Sequence, residues 1–297
     1  MIVTIASGKG GTGKTTVAAG LTEILAPRLG AGLNVVDLDV EAPNLALFLK
    51  PEMETAEDVH LLVPKVDESR CNLCRACAEV CQFQAINVLS EVIYTAPEMC
   101  HGCGGCKLVC PEEAITWDQR LLGQIRLGRI GPSRFMEGRL RVGEAMAPPL
   151  MRRVKALFEA GQVVLVDAPP GTSCPAVTAV QGSDVAVMVT EPTPFGLNDL
   201  ELAMQAFEPL KVVMGVVINR APAREDDSLM SQTRNLCRRF NAPVWLTIPD
   251  DLHIARSYAQ GLTLTASWPG AREGLDELWG CIVTAAGKQS EASGGYQ

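Results

Sequence analysis

The sequence predicts an α/β fold: a doubly wound, mostly parallel sheet with a small domain inserted into it. Three observations predict it. Five near-continuous apolar runs, at residues 2–6, 33–38, 163–166, 185–189 and 212–218, read as strands covered on both faces. Stretches with helical spacing fall between them, as crossover connections require. Eight of the eleven cysteines crowd between Cys71 and Cys110, and this block breaks the alternation at one place.

Composition bounds the rest. At about 150 residues per domain, 297 residues suggest two domains and a sizeable core. Hydrophobic residues at 47% and charged residues at 20% exclude disordered and fibrous classes. Against 26 Lys and Arg stand 34 Asp and Glu, a net charge of −8, which argues against a nucleic-acid coat and against adhesion to anionic membranes. No apolar run reaches the roughly 18 residues of a spanning helix. The first residues enter a strand with no charged leader and no cleavage site. The expectation is a cytoplasmic protein with no nucleic-acid or membrane partner. In that compartment the cysteines read as metal ligands rather than disulfides.

Taken in order, residues 1–63 hold the first strand, a glycine-rich loop, a helix over 15–29 stopped by Gly30 and Gly32, and a strand ending at Asp37 and Asp39. Residues 64–118 are the cysteine block. Cys71, Cys74, Cys77 and Cys81 recur as Cys100, Cys103, Cys106 and Cys110 at an offset of 29 residues, and Ala85-Ile86 recurs as Ala114-Ile115. The block is a duplicated unit. Residues 119–297 open with alternating segments at 124–127 and 138–142, expected to pair as a hairpin. A helix over 150–159 precedes the strand at 163–166. Helices near 197–209 and 226–240 separate the later strands, and a short strand follows at 244–248. A last helix is expected over 270–286, then a polar tail at 288–297 with too few apolar residues to order.

Residues 8–16 read Gly-Lys-Gly-Gly-Thr-Gly-Lys-Thr-Thr. Gly8, Gly13, Lys14 and Thr15 meet the phosphate-loop pattern G-x4-G-K-S/T between a strand and a helix. Backbone N–H groups across Gly10, Gly11, Thr12 and Thr16 suit phosphate oxygens, helped by the helix N-terminus. Lys14 is the residue expected on the β- and γ-phosphates, and the Thr15 hydroxyl on Mg²⁺. The fold class expected is therefore that of a P-loop NTPase.

Lys9 narrows the motif. Lys-Gly-Gly-x-Gly-Lys-Thr-Thr resembles the deviant Walker A of the MinD/ParA/Mrp family, which includes the nitrogenase iron protein and the arsenical pump ATPase. The resemblance implies an ATPase that dimerises on ATP, with Lys9 crossing the interface to the partner's phosphates as a cation supplied in trans. Residues 35–44, Val-Val-Asp-Leu-Asp-Val-Glu-Ala-Pro-Asn, resemble its switch I; Asp39 would orient the attacking water and Asp37 would lie near the metal and Lys9. Residues 163–172 resemble Walker B running into switch II; Asp167 would hold Mg²⁺ through water and Gly171 would offer its N–H to the γ-phosphate. Asn219, with Arg220 beside it, resembles the base-contacting segment, and Pro249-Asp250 the loop over the base. The guanine-specifying Asn-Lys-x-Asp is absent, so ATP is the expected nucleotide. The resemblance covers residues 1–63 and about 119–285, and the insertion is the main departure from it.

The cysteine spacing C-x2-C-x2-C-x3-C occurs twice, the second time followed by Pro111. It resembles a bacterial two-cluster ferredoxin. The resemblance implies one 4Fe–4S cluster on Cys71, Cys74, Cys77 and Cys110, and a second on Cys100, Cys103, Cys106 and Cys81. Gln82 stands where that pattern often has Pro. Zinc is the alternative for the block, although zinc sites rarely use this spacing. His101 reads either as a surface residue or as a group tuning the adjacent cluster.

Cys174 lies seven residues after Asp167, the offset at which the nitrogenase iron protein ligates a cluster shared across its dimer. Two readings stand: Cys174 thiols meeting across a dimer, or an inert small apolar residue. Cys237 and Cys281 fall in helical patterns and read as packing. Residues 118–155 hold nine Lys and Arg against three Asp and Glu, which suits either an acidic partner or a solvated hairpin.

The function expected is ATP binding and hydrolysis, Mg²⁺-dependent, coupling a nucleotide-gated homodimer to electron transfer or metal-cluster assembly with an unidentified redox or metal-cluster partner. Two alternatives are a positioning ATPase like MinD or ParA with a redox-sensing insert, and a relative of cobyrinic-acid-type amide ligases. The polar C-terminal residues suit neither membrane nor DNA, and the length leaves no room for a glutaminase domain.

Overall fold

The computed structural model describes residues 1–223 and 228–293. It divides into two compact units. The first comprises residues 1–56, 125–139 and 151–297, and the second residues 57–124 and 140–150.

In the first unit, β1 (Ile2–Ala6) leads through the glycine loop into α1 (Lys14–Leu29), then β2 (Leu33–Asp37) and α2 (Leu45–Leu49). Gly30 takes φ +53° as the C-cap of α1, the stop its sequence predicts. After the two long strands β3 (Glu52–Val66) and β6 (Ile115–Ile130) come β7 (Ser133–Leu140), α5 (Ala147–Lys155), β8 (Val163–Asp167), α6 (Cys174–Val180) and β9 (Val185–Thr190). The chain continues through α7 (Pro194–Phe207), β10 (Val213–Ala221), α8 (Ser228–Arg239), β11 (Val244–Pro249), α9 (Leu252–Ala259), α10 (Leu264–Ser267) and α11 (Ala271–Ser293).

Nine strands form one sheet in the order β11-β10-β9-β1-β8-β2-β7-β6-β3. Each pair from β11 through to β7 is parallel; of these strands β1, β2, β8, β9 and β10 read as near-continuous apolar runs. On one face Val3, Ile5, Val35, Leu165 and Val187 pack against Val17, Leu21 and Ile24 of α1 and Leu275, Leu278 and Ile282 of α11. Each such side chain contributes about 1.5–3 kcal/mol of burial. Chain order reverses at β1: β8, β2 and β7 lie to one side of it, and β9, β10 and β11 to the other. In such sheets the crevice at the reversal, beyond the strands' C-terminal ends, is where ligands bind.

Several expectations shift. The hairpin partner of β6 is 133–140 rather than 138–142, because Gly131 (φ +56°) and Pro132 make the two-residue turn that only antiparallel strands allow. β3, with mixed polar residues and no alternation, was not foreseen. The last helix runs through to Ser293 because Gln289, Ser290, Glu291 and Ala292 contain no breaker before Gly294; of the expected polar tail, residues 294–297 lie outside the described residues, as do 226–227 of the helix expected over 226–240.

In the second unit, α3 (Ala76–Val80), the hairpin β4 (Ile86–Leu89) and β5 (Val92–Thr95), and α4 (Gly105–Leu108) surround a small core of Cys77, Ile86, Val88, Ile93, Cys106 and Ile115. The sequence repeat is also a backbone repeat. α4 starts 29 residues after α3, and the left-handed residues Leu73, Arg75 and Gln84 recur as Gly102, Gly104 and Glu113 at the same offset. Left-handed backbone is costly for residues other than glycine, so its recurrence at three matched positions marks one loop geometry built twice.

Candidate functional site

β1, β8 and β2 end abreast, with Ile5 and Asp37 each in register with Asp167. The loop after β1 is bound tightly to its surroundings. Gly8 packs on α7, where a Cβ would fall 2.0 Å from the Asp199 carbonyl oxygen. Gly13 takes φ +101°, and a Cβ there would lie 2.3 Å from Asn219 Nδ2. That amide donates to the Thr12 carbonyl at 2.7 Å, and Ser7 Oγ donates to the Lys9 carbonyl at 2.6 Å. Gly10 and Gly11 face open space. The result is a rigid arc whose N–H groups, at the start of α1, can receive an anion.

Behind the arc sits a buried charge cluster. Burial lowers the Lys14 pKa, opposed by Asp167, Asp39 and Asp37. Thr15 Oγ1 donates to Asp167 Oδ2 at 2.7 Å, while Asp167 Oδ1 is buried with no partner. Burial lifts the Asp167 carboxyl to about 7. An orphaned buried oxygen beside a threonine hydroxyl fits a divalent cation, whose charge removes the desolvation cost. Burial also raises Asp39, with Lys14 opposing the shift.

Asp37 lies close enough to Lys14 and Asp167 for their charges to act on one another. Its carboxylate accepts the backbone N–H groups of Asp39, Asn44 and Leu45 at 3.1, 3.0 and 2.9 Å. It shapes the segment that presents Asp39 and caps α2, and it does not line the cavity. The Gly171 N–H donates to the Ser7 carbonyl at 2.9 Å. Lys9 stands 3.7 Å from Glu191, a buried carboxylate that also holds Arg220 at 2.7 Å. Arg220 itself takes φ +52°.

A cavity of about 380 Å³ opens over the arc, within the usual size of small-molecule sites. Its wall brings together Gly10, Gly11, Gly13, Lys14, Thr15, Thr16, Asp39, Asn219, Arg220, Pro249 and Asp250. Gly8, Lys9, Thr12, Asp37, Asp167 and Gly171 act from behind that wall or beside it. Sequence reasoning missed Asn44, Pro170, Asp251, Ile254, Ala255 and Tyr258 on the wall. Four of these belong to α9 or its N-cap: Asp251 accepts the His253 N–H, and Tyr258 packs on Phe48 with ring centroids 5.1 Å apart. The signal available was an Asp N-cap followed by apolar residues four apart, Ile254 and Tyr258. Glu191 carries no motif; it is an acid after an apolar strand.

In the second unit the cysteines line two cavities. Cys71, Cys74, Cys77 and Cys110 face the first, and Cys81, Cys100, Cys103 and Cys106 the second. Backbone N–H groups of Ala85, Gly102 and Ala114 point at the sulfurs of Cys81, Cys100 and Cys110 at 3.3–3.4 Å. Burial pushes the thiols of Cys77, Cys100 and Cys106 up, that of Cys106 to about 11. Among the described residues no group of three or more His, Cys, Asp or Glu is gathered as a single ion needs. A 4Fe–4S cube takes one thiolate at each iron, so its four ligands stand apart around a volume. Two apolar cavities, each faced by four thiols and supplied with N–H donors to sulfur, fit that group.

Cys174 is exposed at the start of α6. Cys237 is buried and its thiol is pushed up to about 11, and Cys281 is half-buried. The arginine-rich stretch 118–155 is largely consumed by the chain's own acids: Arg126 and Arg139 on Glu137, Arg129 on Glu54, Arg134 on Glu159, and Arg120 and Arg141 on Glu144. Lys155 donates to the carbonyls of Thr178, Ala179 and Gln181, at the end of α6. Among the described residues no helix is long and apolar enough to cross a membrane.

Comparison with known proteins gives consistent likenesses. The CobQ/CobB/MinD/ParA nucleotide binding domain matches residues 3–264. An uncharacterised protein of Methanocaldococcus jannaschii is 28% identical over 94% of this chain and 95% of its own length. An iron–sulfur cluster carrier protein of Pyrococcus abyssi is 26% identical over 71% of this chain and 58% of its own length. Among solved structures, the septum site-determining protein MinD from Pyrococcus horikoshii, complexed with Mg-ADP, superposes with a TM-score of 0.52 at 20% identity, covering 99% of this chain and 97% of that one.

Proposed function

The chain belongs to the CobQ/CobB/MinD/ParA nucleotide-binding family, and on that footing we propose that it is a Mg²⁺-dependent ATPase carrying two 4Fe–4S clusters. It couples nucleotide-dependent homodimerisation to electron transfer or iron–sulfur cluster assembly. The observation that carries this reading is the pairing of two four-cysteine cavities with a complete phosphate loop in one chain. The kinship with an iron–sulfur cluster carrier supports it.

Each residue has a task. The N–H groups over Gly10–Thr16 hold the phosphates, Lys14 neutralises them, and Thr15 with Asp167 holds Mg²⁺. Asp39 orients water, and Asp37 fixes the backbone that presents it. Lys9 leaves Glu191, which keeps Arg220 at 2.7 Å, to reach the partner's phosphates. Gly171 exchanges Ser7 for the γ-phosphate, which links ATP binding to the segment before α6. Asn219, Arg220, Pro249 and Asp250 enclose the adenine. The eight cysteines would hold the clusters, which would supply one-electron chemistry. The partner is a redox or cluster-accepting protein.

Anaerobic purification with iron and sulfide counts, followed by ATPase rates with the chain oxidised and reduced, tests the reading. The expected result is iron and sulfide for two cubes and a rate that depends on redox state, lost in Lys9→Ala and Lys14→Ala. A rate indifferent to redox state overturns the coupling. A second reading, a positioning ATPase with a redox-sensing insert, draws on the likeness to MinD over nearly the whole chain. It predicts redox-dependent dimerisation with no electron passed to any acceptor.

A further inference from the structure

The two halves of the cysteine unit repeat each other in sequence and backbone, yet their charges differ. In the second half Arg120, on β6, is buried, its side chain 7% exposed. Its Nη2 donates to the carbonyl of Cys100 at 3.1 Å, and its Nη1 donates to the carbonyl of Glu98 at 3.1 Å. The same guanidinium pairs at 3.0 Å with Glu144, which is 1% exposed and which also faces Arg141 at 3.8 Å. Two guanidiniums on one carboxylate leave a net positive charge, and Arg120 directs its share at the backbone of a cysteine. The second cavity is also lined by Trp117, whose ring lies 5.5 Å from the Lys107 ammonium, and by His101 stacked on Phe83.

The first half has no such arrangement at the matching place. The residue 29 positions before Arg120 is Glu91, an exposed acid in the β4–β5 turn. The charged residues lining the first cavity are Arg75 and Glu112, both exposed and opposite in sign. They largely cancel, and solvent screens them.

Resting on the two-cluster reading, we propose that Arg120 makes the cluster sites unequal, so that the one held by Cys81, Cys100, Cys103 and Cys106 accepts an electron first. Reduction adds one negative charge to a cluster. A buried cation stabilises that charge more than an exposed and compensated pair does. Arg120 is thus a positioning residue that sets the direction of electron flow within the unit. Glu144 holds it in place and moderates its charge.

The test is a potentiometric titration of the anaerobically purified full chain, followed by electron paramagnetic resonance. The expected result is two one-electron steps. Arg120→Gln lowers the upper step only, by tenfold or more in the reduction equilibrium constant, or ~59 mV. Arg120→Lys restores most of it, and Glu144→Gln moves the same step upward. Opposite shifts from the two neutralisations separate charge from structural loosening, which drives both the same way. If Arg120→Gln fails to retain iron, the Arg120→Lys and Glu144→Gln variants carry the test. Iron for two cubes with coincident steps, or with both variants shifting both steps alike, overturns the inference and leaves the two-cluster reading intact. Absence of iron from the wild-type chain overturns that reading, and the inference with it.

Discussion

Asp167 holds the tension of the nucleotide site in one side chain. Burial lifts its carboxyl to about 7, so without metal the folded state keeps a proton that the unfolded chain releases near pH 4. Stability of the free protein therefore falls as pH rises between about 4 and 7. Asp167→Asn is expected to melt higher than wild type at pH 8 while losing Mg²⁺-dependent nucleotide binding, which paired thermal melts and titrations check. On the proposed Mg²⁺ role of Asp167, the metal must displace that proton, so metal-dependent binding is expected to weaken about tenfold per unit below pH 7. Thiols report a second contrast. Cys174 is exposed, whereas Cys237 is buried with its thiol at about 11. Iodoacetamide at pH 8 should label Cys174 and spare Cys237 in a peptide map of the native protein; equal labelling refutes the packing role given to Cys237.

The junction of β1, the glycine loop and α1 was legible in the sequence because Gly8 and Gly13 there have steric reasons to exist. Gly13 combines φ +101° with contact on Asn219. Gly13→Ala should cost about 1–2 kcal/mol from backbone strain alone and reduce nucleotide affinity more than tenfold by pushing Asn219 off Thr12, measurable by denaturation and calorimetry. β1, β2, β8, β9 and β10 were equally legible, since burial on both faces leaves near-continuous apolar runs, whereas β7 is broken by Arg134, Glu137 and Arg139. β3 was not legible, because its exposed residues carry no alternation. α9 was hidden for a related reason: at eight residues it is too short for periodicity to declare itself, so Tyr258 and its neighbours went unassigned. Asp37 shows a different limit. Its residue type and position were legible, but its partners are backbone N–H groups of a loop whose course no pattern encodes.

At the scale of the whole chain, two units of different composition predict two responses to the loss of iron. The core of the second unit is small, and two of its six buried members are Cys77 and Cys106. On the proposed two-cluster reading, ligation supplies much of its folding energy. Removal of iron by chelation is expected to strip hydrogen-exchange protection from residues 57–124 while nucleotide binding by the first unit persists; protection that survives would give the small core more weight than it has here. The sequence marked the cysteine block by its repeat but not the second piece of this unit, residues 140–150, because nothing in that loop resembles the block it joins. That discontinuity limits portability. A fragment spanning residues 57–124 would retain the Arg120 guanidinium and leave behind Glu144, its buried counter-charge, a separation worth about 3–5 kcal/mol. Any graft of the cysteine unit must therefore bring along a loop lying downstream of Cys110, and whoever makes it inherits the hairpin between.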